Sequence, residues 1–167
     1  MVFLFNNIRR FSFVFVCFLL LGIMASCKGS NASKNVNLST DEIYEKIISG
    51  VDIPKLEKLG DSEIGSLMAI ASSSYDEATF CLSPLNVQAT EIALFKFSTK
   101  EQEDLIDKGI TRRLEDLDAT WSRYLPDQYE LIKNVKKFSD RNIKGYIIAD
   151  NAVTIFENLI KVVNNAN

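Results

Sequence analysis

The feature that most constrains this chain is an apolar segment near its start that ends at a single cysteine. The segment Phe11 to Ile23 carries no charge, and the ten residues before it are charged only at Arg9 and Arg10. A basic start followed by an apolar segment of this length is typical of a secretory signal peptide. A membrane-spanning helix needs about 20 apolar residues, whereas the uncharged stretch here is 17 residues, Phe11 to Cys27, and includes polar ones. Residues 1–26 are therefore predicted to be a signal peptide that is removed.

The residues around the predicted cleavage point indicate lipidation. Met24-Ala25-Ser26-Cys27 resembles the lipobox of bacterial lipoproteins, with Met24 in place of the usual leucine. In such proteins a diacylglycerol group is added to the cysteine thiol, and a signal peptidase then cuts before it. The resemblance implies a mature protein held by lipid at Cys27 on the outer face of the cell membrane, because two acyl chains suffice for stable anchoring. The alternative is an ordinary secretory signal with an incidental cysteine.

Composition limits the fold and the chemistry of the rest. The chain has 167 residues, 47% apolar and 25% charged, which is typical of one globular domain. Without the two signal arginines, 17 basic residues face 22 acidic ones, a net charge of −5, so nucleic acid is not an expected partner. There is no histidine, the commonest general base and metal ligand. We expect no catalytic residue, no metal and no cofactor.

The mature chain divides into a short tether and one domain. The polar stretch Lys28 to Asn37 has no periodicity, so residues 27–38 are predicted to be the lipidated cysteine and a flexible tether, and residues 39–167 the domain. Helices are predicted after Ser39, Asp61, Thr99, Pro126 and Asp150 or Asn151 from capping and apolar periodicity. Strands are predicted at Thr79–Ser83, Glu91–Ser98, Val135–Ser139 and Ile143–Ala149. The order favours an α+β fold, an antiparallel four-stranded sheet of two hairpins with helices mainly on one face.

Four segments together resemble a known family. They read "PLNVQATEIALFKF", "RRLEDL", "YLPDQYELIKN" and "GYIIAD", in this order behind a lipobox. The combination resembles an uncharacterised family of Gram-positive lipoproteins catalogued as domain of unknown function forty-three fifty-eight, from Asp41 to about Val163. The resemblance implies a location and relatives of the same fold, but no catalytic residues.

A proline corner between two helices is the first candidate surface. It brings Tyr124, Gln128 and Tyr129 into one short segment. Two phenols and an amide at such a corner predict a ligand or partner site, with local packing as the alternative.

A basic stretch is the second candidate. Its cations are Lys133, Lys136, Lys137, Arg141 and Lys144, interrupted only by Asp140. Near a membrane such a patch favours contact with anionic phospholipid or an anionic wall polymer. The alternative is a sheet edge that its lysines protect from aggregation.

The third candidate is the sheet surface. If helices cover one face only, Ile92, Leu94, Tyr146 and Ile148 form a partly exposed apolar patch for a partner. The alternative is that the first helices cover this face as well.

Other groups are interpreted as structural. Cys81 has no imidazole partner and lies in a predicted strand, which favours a packed thiol over a nucleophile. Glu115, Asp116 and Asp118, next to Arg112 and Arg113, are predicted to lie mostly on the solvent face of a helix.

Two classes of function remain. The favoured one is a non-enzymatic binding or assembly module that holds a protein of the cell envelope. The alternative is an enzyme or accessory subunit that acts on envelope polysaccharide, for example in O-acylation.

Overall fold

A five-stranded antiparallel sheet organises residues 35–166, the part of the chain that the computed structural model describes. The strands are β1 (Glu57–Lys58), β2 (Glu77–Leu82), β3 (Glu91–Lys96), β4 (Lys136–Asp140) and β5 (Ile143–Ile148). Their spatial order is β1-β2-β3-β5-β4. The four predicted strands are confirmed, and the prediction of a four-stranded sheet misses β1, which has only two residues, both exposed.

Five helices surround the sheet: α1 (Thr40–Ile48), α2 (Asp61–Met68), α3 (Lys100–Trp121), α4 (Pro126–Lys133) and α5 (Ala152–Asn165). A 3₁₀ turn lies at Ser72–Ser74. The caps explain two of the starts, because Ser39 and Thr99 each accept a hydrogen bond from the first turn in a capping box. Pro126 occupies the first turn of α4, where the missing N–H has no cost. All five predicted helices are confirmed.

The helices cover both faces of the sheet, which corrects the prediction that they lie mainly on one. One face, the α3 face, packs against α2, α3 and α4. The other, the α5 face, packs against α1 and α5, whose apolar stripes include Ile43, Ile47 and Ile155. Both α1 and α5 are amphipathic, and helices of this length are barely stable alone. Their stability comes from packing the apolar stripe, here against the sheet.

Because both faces are covered, the predicted exposed patch is wrong. Ile92, Leu94, Tyr146 and Ile148 are each 0% exposed. They also lie on opposite faces: Ile92 and Leu94 pack with the α5 face, whereas Tyr146 and Ile148 pack with the α3 face. Adjacent residues of a strand point to opposite faces, and both sets of side chains here are apolar because both are buried.

The folded part also begins earlier than predicted. Val36, which the sequence analysis assigns to the tether, is 1% exposed and packs on the α5 face. Its N–H donates to the Asn142 side-chain oxygen at 2.8 Å, in the turn between β4 and β5. The chain is therefore attached to the sheet before α1 begins.

Gly145 marks the closest approach between central strands. A Cβ atom at this position would lie 1.9 Å from the backbone oxygen of Ala93 on β3 and 2.9 Å from the ring of Phe138 on β4. No side chain fits there, so β5 needs glycine at this point.

Candidate functional site

A cleft of about 130 Å³ opens where β2 and β3 meet the second half of α3. The loop of residues 83–90 forms one wall, Leu117 and Trp121 of α3 form the other, and Glu91 and Arg113 lie at the base. The α3 helix brings Arg113, Leu117 and Trp121 to one side because these residues recur at intervals of four.

Hydrogen bonds hold the 83–90 loop in one conformation. The N–H of Ser83 donates to the Thr90 carbonyl at 3.0 Å and closes the base of the loop. The Ser83 hydroxyl donates to Gln88 at 2.9 Å and accepts from the N–H of Leu85 at 3.2 Å. From outside the loop, the Gln128 side-chain oxygen accepts from the N–H of Ala89 at 2.9 Å.

Despite this order, the loop exposes two large apolar side chains. Leu85 is 54% exposed and Val87 is 46% exposed. Tyr124, 56% exposed, packs on Trp121 with ring centroids 5.9 Å apart. Of these three side chains, Leu85 lines the cleft, Val87 lies on the same loop, and Tyr124 packs on the lining residue Trp121.

A buried ionic cluster lies at the base of the cleft. The Arg113 guanidinium donates to both oxygens of Glu91, from Nε at 3.1 Å and from a terminal nitrogen at 2.7 Å. The Tyr146 hydroxyl donates to the same carboxylate. The Glu91 side chain is 3% exposed and that of Arg113 is 14% exposed. This two-point geometry is the strong form of an arginine–carboxylate pair.

The electrostatics of the cluster act on Tyr146 and Arg113. Burial, followed by the Glu91 charge, raises the pKa of Tyr146 well above its ordinary value. Burial opposes the charge on Arg113, but the hydrogen bonds and charge of Glu91 outweigh it and raise the pKa of Arg113. The phenol stays protonated and the guanidinium stays charged, so the cluster is suited to hold a shape and not to transfer a proton.

The structure does not bring the three residues of the proline corner into one site. Tyr124 packs on Trp121, Gln128 braces the 83–90 loop, and Tyr129 donates to Asp118 at 2.7 Å. Lys133 lies 5.2 Å from the ring centroid of Tyr129. The corner is therefore linked to the cleft through two lining residues, Ala89 and Trp121, and does not itself line it.

The five predicted cations do not form one patch, which corrects the second candidate. Lys144, with a side chain 7% exposed, is paired with Glu103 at 3.0 Å and Asp107 at 2.6 Å beneath α3. The Arg141 side chain, 6% exposed, donates to the Val163 carbonyl at 2.5 Å.

The other three cations lie at the surface. Lys133 is paired with Glu130. Lys136 and Lys137 have no ion-pair partner among residues 35–166. Burial of Lys144 and Arg141 thus leaves at most a small basic edge on β4.

The remaining predicted groups are structural where the structure describes them. Cys81 is 3% exposed, and burial raises the pKa of its thiol, which confirms the packed-thiol interpretation. Glu115, Asp116 and Asp118 are exposed, as predicted. No cluster of carboxylates and cysteines that could hold a metal ion occurs within residues 35–166. Cys27 lies outside the described residues.

The pairing of Glu91 with Arg113 is not among the sequence predictions, although both residues leave a signal in the sequence. Arg113 lies three residues after Ile110 and four before Leu117, so it belongs to the buried stripe of α3. Glu91 alternates with Ala93 and Phe95, which face α3. A charged residue at an inward position of each element predicts a buried pair.

Comparison with known proteins identifies the family. A family model described as "Domain of unknown function (DUF4358)" matches residues 49–148, a narrower range than the resemblance indicated. No curated protein and no solved structure matches the chain significantly. Within residues 35–166, no helix is long and apolar enough to cross a membrane. The matched range holds the whole sheet and the cleft, and the chain belongs to the DUF4358 family.

Proposed function

We propose that this protein is a lipid-anchored binding module on the outer face of the cell membrane, and that the cleft and the 83–90 loop hold a protein of the cell envelope. The observation that carries the proposal is the ordered loop with exposed Leu85 and Val87. A loop fixed in advance loses little entropy on binding, and ordered apolar side chains beside a cleft are typical of a contact surface.

The chemistry of the cleft supports binding over catalysis. Three of the about four lone-pair sites of the Glu91 carboxylate already accept hydrogen bonds, from Arg113 and Tyr146. A general base must reach the substrate proton, and the Glu91 side chain is 3% exposed and held by these partners. The buried pair of Glu91 and Arg113 instead forms a rigid floor of the cleft, in which the two charges are paired and against which a partner side chain can pack.

The start of the domain fits an anchored protein. Eight residues, and so nine Cα–Cα steps, separate Cys27 from Val36, the first residue buried in the described domain. Such a segment reaches at most about 30 Å when fully extended. With lipid on Cys27, the domain would stay close to the bilayer and to membrane proteins.

The binding proposal is tested on the full chain in native membranes by crosslinking and pull-down. The variants are Leu85→Ser and Val87→Ser, and the control is Val153→Ser, which makes the same change at a site 57% exposed on α5. We expect wild type and the control to recover one stoichiometric envelope protein and the two loop variants to lose it. Equal recovery by all four proteins would contradict the proposal, as would a wild type that purifies alone with a bound sugar or acyl group.

The anchor has a separate test. Intact mass of the membrane-bound chain should show a new amino terminus at Cys27 with a diacylglyceryl group, and Cys27→Ser should prevent the modification. Recovery of wild type from the culture medium with an unmodified thiol would contradict the anchor and leave the binding surface to be judged separately.

One observation favours the alternative, an accessory subunit that acts on envelope polysaccharide. Ser83, Asn86 and Gln88 place hydroxyl and amide groups in the cleft beside Trp121, a combination suited to a sugar ring. Trp121 is the single tryptophan of the chain, so its fluorescence reports on the cleft. A saturable fluorescence change on addition of wall polysaccharide fragments would favour this function over protein binding.

A further inference from the structure

Strand β4 is an open edge of the sheet in the part of the chain that the structure describes. It pairs with β5 on one side only, and β1, with two residues, forms the opposite edge. An edge strand of five residues with free backbone groups can pair with another strand.

The hydrogen-bond pattern shows which backbone groups of β4 face outward. The N–H of Phe97 donates to the Asn142 carbonyl at 3.1 Å, so even-numbered residues of β5 bond toward β3. Ile143, Gly145 and Ile147 therefore bond toward β4, where they pair with Asp140, Phe138 and Lys136. The N–H and C=O groups of Lys137 and Ser139 are left facing the open edge.

The sequence of β4 is complementary to itself in one antiparallel register. When two copies meet at Phe138, Lys137 lies opposite Ser139 and Lys136 lies opposite Asp140. The outward backbone groups of Lys137 in each copy then form hydrogen bonds with those of Ser139 in the other. On each side of the central Phe138 pair, a lysine of one copy meets an aspartate of the other. A register shifted toward the start of the strand places lysine opposite lysine, which is unfavourable.

We infer that two copies of this chain pair through β4, with Phe138 on the two-fold axis and Lys136 of each copy beside Asp140 of the other. The charges are available. Among residues 35–166, Lys136 has no ion-pair partner, and the Asp140 side chain, 49% exposed, has one, Arg141 at 3.2 Å. The pairing gives each Lys136 a counter-charge and brings each Asp140 a second cation.

Space for a second strand exists on both faces beside β4. A cavity of about 280 Å³ lies between β4 and α5 and is bordered by Phe138 and the partly exposed Ile160. A cavity of about 340 Å³ lies on the α3 face, next to Lys137 and Asp107. Alternate side chains of an added strand point to opposite faces and would enter these two spaces.

The symmetry also suits two chains in one membrane. Pairing of residue 138 with itself requires a two-fold axis perpendicular to the sheet, so both copies turn the α5 face to the same side. Val36, where the described domain begins, packs on that face in each copy. This step alone rests on the proposed lipid anchor; the pairing does not.

A zero-length carbodiimide crosslink tests the contact on the full chain in detergent. It should join Lys136 to Asp140 in a covalent dimer that mass spectrometry identifies. Within one strand these residues are about 13 Å apart, too far for this reagent. The internal contact between Lys58 and Asp41, at 2.5 Å, serves as the positive control.

A charge exchange tests the register. Lys136→Asp and Asp140→Lys should each weaken self-association by roughly tenfold, because each places like charges opposite each other twice. Mixed together, the two variants should associate as wild type does, since every pair is again opposite in sign. Circular dichroism checks that both variants fold.

Three results would overturn the inference. The first is a wild type that stays monomeric in light scattering at every protein concentration up to about 1 mM, where even weak complexes form. The second is a dimer insensitive to both variants. The third is a crosslink between two copies that joins other residues and not Lys136 to Asp140. A different protein bound at β4 in place of a second copy would appear as the first of these. The loop variants of the proposed function should dimerise normally, which separates the two tests.

Discussion

Two ionic clusters beneath α3 differ in how far they are sealed from water. Near the first half of the helix, Lys144 is paired with Glu103 and Asp107, whose side chains are 22% and 55% exposed. Near the second half, Glu91 is 3% exposed and its partner Arg113 is 14% exposed. One cluster is open at its acidic side, and the other is closed.

The difference predicts different consequences of losing one partner. In the closed cluster, removal of the cation leaves a carboxylate in the protein interior without compensation. In the open cluster, removal of the cation leaves two carboxylates that water can reach. The same kind of substitution should therefore be costly at one place and moderate at the other.

The largest effect is expected for Arg113→Met, which removes the charge from the closed cluster. We expect a loss of about 3–5 kcal/mol in the free energy of unfolding, because Glu91 stays buried without its cation. Urea unfolding at pH 7 measures it. The matched control is Arg112→Met, next in sequence and 59% exposed, which should change stability by about 0.5 kcal/mol or less. A cost below about 1 kcal/mol for Arg113→Met would show that the cluster is not sealed in solution.

A smaller loss is expected for Lys144→Met in the open cluster. The substitution removes two charge-assisted hydrogen bonds but leaves solvated carboxylates, so we expect about 2 kcal/mol. The same urea titration measures it. If this variant loses as much as Arg113→Met, the two clusters do not differ and the comparison fails.

The open cluster should also contribute a pH dependence. Lys100 and then Lys144 lower the pKa of Glu103 below its ordinary 4.5, so this stabilisation is complete above pH 4.5 and is lost as the pH falls through the lowered pKa. We expect the urea midpoint to fall less between pH 7 and pH 3 in Lys144→Met than in wild type. An identical fall in both proteins would assign the acid sensitivity to other carboxylates.

The smallest effect is expected for Lys100→Ala. The Lys100 side chain is 73% exposed and pairs with Glu103 and Asp104 in water. Exposed pairs of this kind contribute little, because solvent screens them. The urea midpoint at pH 7 should not change measurably, and a clear decrease would indicate that the pair of Lys100 with Glu103 stabilises the open cluster.

The sequence allowed prediction of every element with a periodic pattern and missed features that depend on tertiary contacts. The capping boxes at Ser39 and Thr99 and the proline at 126 located helix starts because these signals are local. β1 was missed because two exposed residues have no pattern. The prediction of one open face is wrong because apolar side chains on both sides of β3 and β5 indicate a sheet covered on both faces.

The candidate surfaces were predicted less well for a related reason. Lys144 was assigned to a basic patch by its neighbours along the chain, but the sheet turns its side chain under α3 toward Glu103 and Asp107. The pairing of Glu91 with Arg113 joins residues 22 positions apart and could be found only by comparing inward positions of two elements. Spacing along the chain does not show which side chains meet.

Gly145 also limits the ways in which the central strands β3 and β5 can pair. A slip of β5 by two residues would place Ile143 or Ile147 where even a methyl group would lie 1.9 Å from the Ala93 oxygen. A slip by one residue would turn Lys144 toward the apolar α5 face. The absence of a single side chain thus favours the native alignment of these two strands over its neighbours.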